Sequence, residues 1–281
     1  MADTAHASGS IARGALARHE VMIGLTAVGL INGFASRAIT SVMDMGWHAA
    51  VFATFDVSAI VWISCVLLLN LMWSAPREPL LPLDGVAAGV CLLAFLLPLG
   101  QTSWLALTLL SAYLGITSAP RSTLRRAALL LFAIGLPMMW ARLLISFFSG
   151  PLLNADAAMV AALVGTQAVE NTVPFPDGSG SLWIAPACSS AINLALALLC
   201  GTTFVVGYGL DWSWRMAGWT LLACLSVVAV NIARLAALAL YPSYYEALHG
   251  PEGGAAFSLL ILAVMVGIFA YAARRERTPA L

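Results

Sequence analysis

Apolar stretches alternate with short polar segments along almost the whole chain. A helix needs about 20 apolar residues to cross the hydrocarbon core of a bilayer. Eight stretches reach or approach that length, at 21–39, 50–73, 83–99, 101–118, 125–149, 187–208, 215–240 and 255–273. The pattern predicts an all-α integral membrane protein with about eight transmembrane helices. We found no internal repeat, and residues 1–281 are therefore expected to form a single polytopic domain.

Composition supports the same class of protein. The chain has 281 residues, of which 61% are hydrophobic and 9% are charged, whereas soluble domains carry about 25% charged residues. The formal net charge of +0 gives a nucleic-acid partner no electrostatic support. The five cysteines form no C-x-x-C pair and no Cys/His metal spacing, so neither a metal nor a cofactor is predicted.

The positions of the arginines predict the orientation, because cytoplasmic loops are enriched in basic residues. With eight spans and both ends inside, most arginines fall on the cytoplasmic side: Arg13, Arg18, Arg77, Arg121, Arg125, Arg126, Arg215, Arg274, Arg275 and Arg277. Arg37 and Arg142 are exceptions, because each lies near the predicted outer end of its span. Residues 1–20 are predicted to be a cytoplasmic tail and the first span an uncleaved anchor, which indicates a multi-pass protein of the plasma (inner) membrane.

The longest outer-face loop segment is predicted at 150–186. It opens with a possible interfacial helix, "LLNADAAMVAALVGTQ", and continues as "NTVPFPDGSGSLWIAP". The Asp177-Gly178 pair and Gly180 favour a turn or a short hairpin. This segment leads directly into the sixth predicted span.

Cys188 lies in "IAPACSSAIN", and we place it in the first turn of that span, just after Pro186. Proline favours a helix start, and Ser189 and Ser190 can satisfy free amides there. The positive end of a helix favours a thiolate, so Cys188 is a candidate nucleophile. The alternative is an inert packing cysteine. The other cysteines, which fall inside spans, are expected to be core residues: Cys65, Cys91, Cys200 and Cys224.

"VNIARLAAL" places Asn231 and Arg234 three residues apart on one face of the seventh span. Arg234 lies about six residues from the outer end. An arginine inside a span is costly, so it either snorkels to the headgroups or provides a fixed cation for an oxyanion or a carboxylate. Arg142 has a similar depth on the fifth span, and snorkelling is the favoured interpretation there.

"YPSYYEALHGPEGGAAF" places His249 in the outer loop before the last span. Glu246 and Glu252 lie close enough in sequence to orient it. A histidine that reaches a thiol can act as a general base or an ion-pair partner, whereas a solvated loop histidine has no such role. Thiol, arginine and histidine are therefore all expected on the outer side of the membrane.

The order "ACSS", "NIAR" and "HGPEG" over residues 125–273 resembles the exosortase/archaeosortase family of membrane cysteine transpeptidases. The resemblance implies cleavage of C-terminal sorting signals on exported proteins through a thioester, with transfer to an acceptor molecule. It implies Cys188 as the nucleophile, Arg234 as the oxyanion-stabilising residue and His249 as the proton-transfer partner. Asn231, Ser189, Arg142 and Glu246 are expected to bind substrate or support the site. Ser190 stands where the family usually has glycine.

Two other classes of function fit parts of the pattern. A transporter or channel subunit would use Arg234 and Arg142 to bind an anionic solute, although the chain shows no paired inverted repeats. A structural assembly factor with a vestigial site is the third possibility. In the enzyme Cys188 must be accessible and reactive, while a transporter would tolerate its loss.

Overall fold

The computed structural model describes residues 16–97 and 99–277, apart from the side chains at 251 and 277. Within these residues the chain is predominantly helical. The helices are α1 (Arg18–Met45), α2 (Trp47–Phe52), α3 (Ala59–Trp73), α4 (Asp84–Phe95), α5 (Gly100–Thr117), α6 (Thr123–Gly135), α7 (Ala141–Val164), α8 (Ser190–Tyr208), α9 (Trp214–Leu240), α10 (Tyr245–His249) and α11 (Pro251–Arg277). Two short strands, β1 (Thr172–Pro174) and β2 (Ser181–Trp183), lie between α7 and α8.

The prediction of an all-α membrane protein is confirmed at this coarse level. Five helical segments of the described chain are long and apolar enough to cross a membrane: Arg18–Met45, Thr123–Val164, Pro186–Tyr208, Trp214–Leu240 and Glu252–Glu276. The count of eight spans stays a prediction. The stretch predicted at 50–73 is helical only at both ends, as α2 and α3 with a 3-10 turn at Thr54–Asp56 between them. The stretch predicted at 83–99 contains the 12-residue α4.

The chain divides into two compact units, one formed by the residues up to Val57 with Cys65–Phe132 and the other by Ser58–Ser64 with the residues from Ala133 onward. In the first unit α1 packs against α4 and α5. Gly29 and Gly33 allow this close approach, since a Cβ atom on Gly33 would lie 2.9 Å from the ring of Trp104. Small residues four positions apart are typical of helix contacts in membranes.

A buried polar network also holds the first unit together. The Nε atom of Arg18 donates to Oδ1 of Asp84 over 3.2 Å, and both side chains are buried. The hydroxyl of Tyr113 donates to the same carboxylate oxygen at 2.6 Å. The predicted tail at residues 1–20 therefore ends earlier than expected, because α1 begins at Arg18 and this arginine is not a free tail cation. Residues 1–15 lie outside the described part.

In the second unit α8 packs against α9 and α11, while α7 packs against α9 and α8. α6 and α7 form one continuous helix of 42 residues through a π-helical turn at Leu136–Trp140. A straight helix of that length would extend about 63 Å, roughly twice the hydrocarbon thickness. The axis breaks at Phe148, which has non-helical dihedral angles and lies three residues before Pro151.

Beyond this break the first part of the segment predicted at 150–186 is helical, as expected, but it continues the fifth predicted span and does not form a separate helix. α7 continues to Val164, and Gly165 ends it in the left-handed conformation. The predicted helix in "LLNADAAMVAALVGTQ" is thereby confirmed over most of its length. Its interfacial position stays a prediction.

The predicted hairpin at Asp177-Gly178 is confirmed. β1 and β2 pair antiparallel, with Val173 opposite Leu182. Gly178 has a positive φ of 72°, and the backbone N–H and the hydroxyl of Ser179 both donate to Asp177 at 2.9 and 2.7 Å. These hydrogen bonds hold the pKa of the Asp177 carboxyl below its ordinary value. Val173, Leu182 and Ile184 bury their side chains in an apolar cluster with α7 and α9.

Candidate active site

Cys188 ends a single 3-10 turn, Pro186–Cys188, that connects the hairpin to α8. The helix itself begins at Ser190, with Ser189 as its N-cap residue. Cys188 therefore lies in the opening turn of the helical segment Pro186–Tyr208, but that turn is a 3-10 turn and the α-helix proper begins two residues later. Its side chain is half-buried and packs against the apolar cluster beneath the hairpin.

Four backbone amides at and after Cys188 have hydrogen-bond acceptors. The pairs are Cys188 N to the Ala185 oxygen at 2.9 Å, Ser189 N to the Pro186 oxygen at 3.2 Å, Ser190 N to Asp156 Oδ2 at 3.0 Å and Ala191 N to Ser189 Oγ at 3.3 Å. None of these four amides is free to bind an oxyanion in this conformation. A side-chain donor would therefore be needed in place of these amides to stabilise an oxyanion at Cys188.

Asn231 contacts the cysteine-bearing segment directly. Its Nδ2 atom donates to the carbonyl oxygen of Cys188 at 3.0 Å and to Oγ of Ser190 at 3.1 Å. The residue is 3% exposed. The supporting role expected for Asn231 thus has a specific geometry, in which α9 is tied to the start of α8.

Ser189 and Ser190 are both buried. The hydroxyl of Ser189 caps α8, which makes it a supporting residue and leaves its side chain turned into the fold. The side chain of Ser190 accepts a hydrogen bond from Asn231. This hydroxyl is a polar contact at the junction of α8 and α9.

Asp156 is the polar residue of this region that sequence reasoning missed. It lies on α7, 3% exposed, and accepts the backbone N–H of Ser190. The available signal was a single carboxylate within the apolar run that follows Pro151. The sequence pattern predicts that run only as a possible interfacial helix.

Arg234 lies on α9, one turn beyond Asn231 and six residues before the helix ends at Leu240. Within the described chain its buried Nε atom has no hydrogen-bond partner. The guanidinium carbon lies 5.4 Å from the ring centroid of Phe257 on α11, a cation–π arrangement. Positions three apart on a helix have their Cβ atoms about 5–6 Å apart, so Arg234 is anchored one helical step from the residue that contacts Cys188.

His249 is the last residue of the five-residue helix α10, and its exposed ring stacks on Tyr245 with centroids 4.9 Å apart. Glu246 lies on the same short helix. In the described part of the chain, the His249 ring forms no hydrogen bond with Cys188 or Glu246. Leu248 packs against the same apolar cluster as Cys188, which links α10 to the region of the thiol.

Arg142 lines an open cleft of about 430 Å³ that reaches the turn before Cys188. The cleft is mainly apolar, and its other lining residues are Ile145, Ser146, Ser149, Pro186, Ala187 and Ile192. Pro186 and Ala187 belong to the 3-10 turn that ends at Cys188. Arg142, whose side chain is exposed, therefore borders a concave surface beside the cysteine.

The remaining cysteines lie within helices, as expected. Cys65, Cys91 and Cys200 are buried, and Cys224 is half-buried on α9. Of the five cysteines, Cys188 alone lies outside an α-helix, in the 3-10 turn that leads into α8. Among residues 16–97 and 99–277 no group of three or more His, Cys, Asp or Glu side chains could hold a metal ion.

Comparison with protein-family models, curated proteins and solved structures finds no match to this chain.

Proposed function

We propose that this protein is an exosortase-like membrane cysteine peptidase or transpeptidase. It would cleave C-terminal sorting signals of exported proteins at the outer face of the plasma (inner) membrane, with both chain ends in the cytoplasm. The observation that carries the proposal is the placement of Asn231 and Arg234 on one face of α9. Asn231 donates to the Cys188 carbonyl, and Arg234, one turn away, has a buried Nε donor that finds no partner among the described residues.

The chemistry proceeds through a thioester. The thiolate of Cys188 attacks the carbonyl carbon of the scissile amide, and the carbonyl oxygen becomes an oxyanion. Arg234 stabilises that charge, because the backbone amides of Cys188, Ser189, Ser190 and Ala191 already have acceptors. The C–N bond then breaks, and the leaving amine takes a proton from His249.

The second half of the cycle releases the acyl group. Water or an acceptor nucleophile attacks the thioester, His249 accepts the proton, and the thiolate leaves. Attack by water gives a free carboxyl end, and attack by an acceptor molecule gives transpeptidation. His249 approaches the reacting atoms when substrate is bound, since catalytic hydrogen bonds often tighten only in the substrate complex.

Arg142 and its cleft supply the substrate-binding surface of this proposal. An extended peptide next to the scissile bond fits an apolar cleft that ends at the Cys188 turn. Glu246 is assigned to orient His249, three residues away on α10. The membrane-embedded part of the sorting signal would lie along the lipid-facing helices.

The decisive experiment uses a substrate made by the same cell, an exported protein with a C-terminal short motif, apolar span and basic tail. It is co-expressed with the wild type or with Cys188→Ser, and the mass of its C-terminus is measured. We expect processing by the wild type and none by the variant at equal enzyme in the membrane. Normal processing by Cys188→Ser would refute the proposal.

The second candidate is a transporter subunit for an anionic solute, and the cleft at Arg142 is the observation that favours it. In that case Cys188→Ser would leave function intact, while Arg142→Ala would abolish solute uptake. The same pair of variants thus separates the two functions, because the enzyme depends on the thiol.

A further inference from the structure

Asp156 is a buried carboxylate that the proposed cycle does not use. It lies on α7 beyond the break at Phe148 and is 3% exposed. Its side chain forms one hydrogen bond, from the backbone N–H of Ser190, and no ion pair with any described residue. A buried carboxylate without a cationic partner is costly. The positive end of α8, at which it lies, offsets part of that cost.

The segment Cys188–Ser190 is held from two helices at once. Asn231 on α9 donates to the carbonyl oxygen of Cys188, and Asp156 on α7 accepts from the amide of Ser190. The two hydrogen bonds act on opposite ends of this three-residue segment. The segment connects the 3-10 turn, which ends at Cys188, to α8, which begins at Ser190. Together they restrict the backbone on both sides of Ser189 and so restrict the direction of the Cys188 side chain.

We propose that Asp156 is a positioning residue for the Cys188 thiol, an inference that rests on the proposed function. It acts through the Ser190 amide and touches no reacting atom. Its role requires an acceptor at this position, and a charged acceptor is the stronger one. Catalysis depends on such positioning, since a misplacement of about 1 Å can cost about 100-fold in rate.

The test compares Asp156→Ala and Asp156→Asn with Asn154→Ala, an exposed position on the same helix. Hydrogen bonds to charged groups are stronger than neutral ones. The substrate is the exported protein with the C-terminal sorting signal described above. We therefore expect its kcat to fall at least about tenfold in Asp156→Ala and about threefold to fivefold in Asp156→Asn. KM should stay within about twofold because the cleft is untouched, and Asn154→Ala should match the wild type.

A second readout does not depend on processing. In a background where the other four cysteines are replaced by alanine, the rate at which a membrane-impermeant maleimide labels Cys188 is measured in purified full-length protein. We expect Asp156→Ala to change this rate at least about threefold, and Asp156→Asn less, while Asn154→Ala leaves it unchanged.

Equal labelling and equal kcat in Asp156→Ala and the wild type would overturn the inference. Should Asp156→Ala fail to accumulate in the membrane, wild-type values of both quantities in Asp156→Asn would overturn it instead. Failure of the proposed function would give a different result from failure of this inference. In that case Cys188→Ser processes normally, while the effect of Asp156 on the labelling rate still decides whether it positions the thiol.

Discussion

The Nδ2 atom of Asn231 lies 3.0 Å from the carbonyl oxygen of Cys188. This hydrogen bond joins residues 43 positions apart and fixes α9 to the entrance of α8. It also determines where Arg234 lies, because one helical turn separates Arg234 from Asn231. The relationship between the thiol and the arginine thus depends on an amide side chain that takes no part in the chemistry.

Asn231→Asp is expected to impair the protein about as much as Asn231→Ala. An ionised aspartate has the shape of asparagine but cannot donate to the Cys188 carbonyl, and it places an oxygen against that oxygen. Each variant removes the donor to the partly buried Cys188 carbonyl, and the loss of a hydrogen bond costs about 0.5–1.5 kcal/mol. The measurements are the thermal midpoint in detergent and the processing rate. A wild-type midpoint and rate for Asn231→Asp would contradict the proposed connection.

Cysteine labelling from outside the cell should single out Cys188. Its half-buried side chain lies at a helix entrance, whereas Cys65, Cys91 and Cys200 are buried within helices. A membrane-impermeant maleimide is expected to modify the wild type and not Cys188→Ala. Replacing any of the other cysteines, including Cys224, should leave both labelling and processing largely intact. Modification of Cys188→Ala to the wild-type extent would place the reactive thiol elsewhere.

Arg234→Lys separates snorkelling from oxyanion binding. Lysine keeps the charge but loses the planar set of guanidinium donors. Loss of one oxyanion donor costs about 10²–10³ in rate in other enzymes, so we expect at least about a tenfold loss of processing rate here. The rate is normalised to enzyme in the membrane.

Arg142→Lys is the matched control for Arg234→Lys, and its loss should be far milder. A lysine at the cleft still supplies a positive charge to a bound segment. Near-normal rates for both lysine variants would assign Arg234 to snorkelling and leave Cys188 without its proposed partner.

Reporter fusions after residues 122, 170, 212 and 248 are expected to alternate inside, outside, inside and outside. The arginine distribution carries this prediction. One candidate membrane span, containing α8, lies between 170 and 212, and another, α9, lies between 212 and 248. Opposite sides for the fusions at 170 and 248 would rule out a shared site for Cys188 and His249.

Gly33→Ala should destabilise the packing of α1 against α5. The added Cβ would lie 2.9 Å from the ring of Trp104, whose Nε1 also donates to the Gly33 carbonyl. Overpacking typically costs about 1–3 kcal/mol. Gly24→Ala, on the same helix with no atom within 4 Å of the new Cβ, is the control and should be neutral or stabilising. A lower unfolding temperature for Gly24→Ala than for Gly33→Ala would contradict this account.

The sequence by itself determined the class of protein and several local features. Long apolar runs have only one way to satisfy their backbone groups in lipid, so α1, α8, α9 and α11 were predictable. The hairpin was predictable from Asp177-Gly178, because that pair accommodates the backbone angles of a tight turn. The face shared by Asn231 and Arg234 followed from helical periodicity alone.

Only the tertiary structure decided which residues surround Cys188. The contact of Asn231 with the Cys188 carbonyl and the burial of Asp156 against Ser190 depend on how α7, α8 and α9 pack, and periodicity within one helix carries no information about that packing. The continuation of α7 to Val164 was also missed, because the proline at 151 kinks the helix without ending it. A proline removes one hydrogen bond, and the neighbouring turns can keep the helix going when packing supports them.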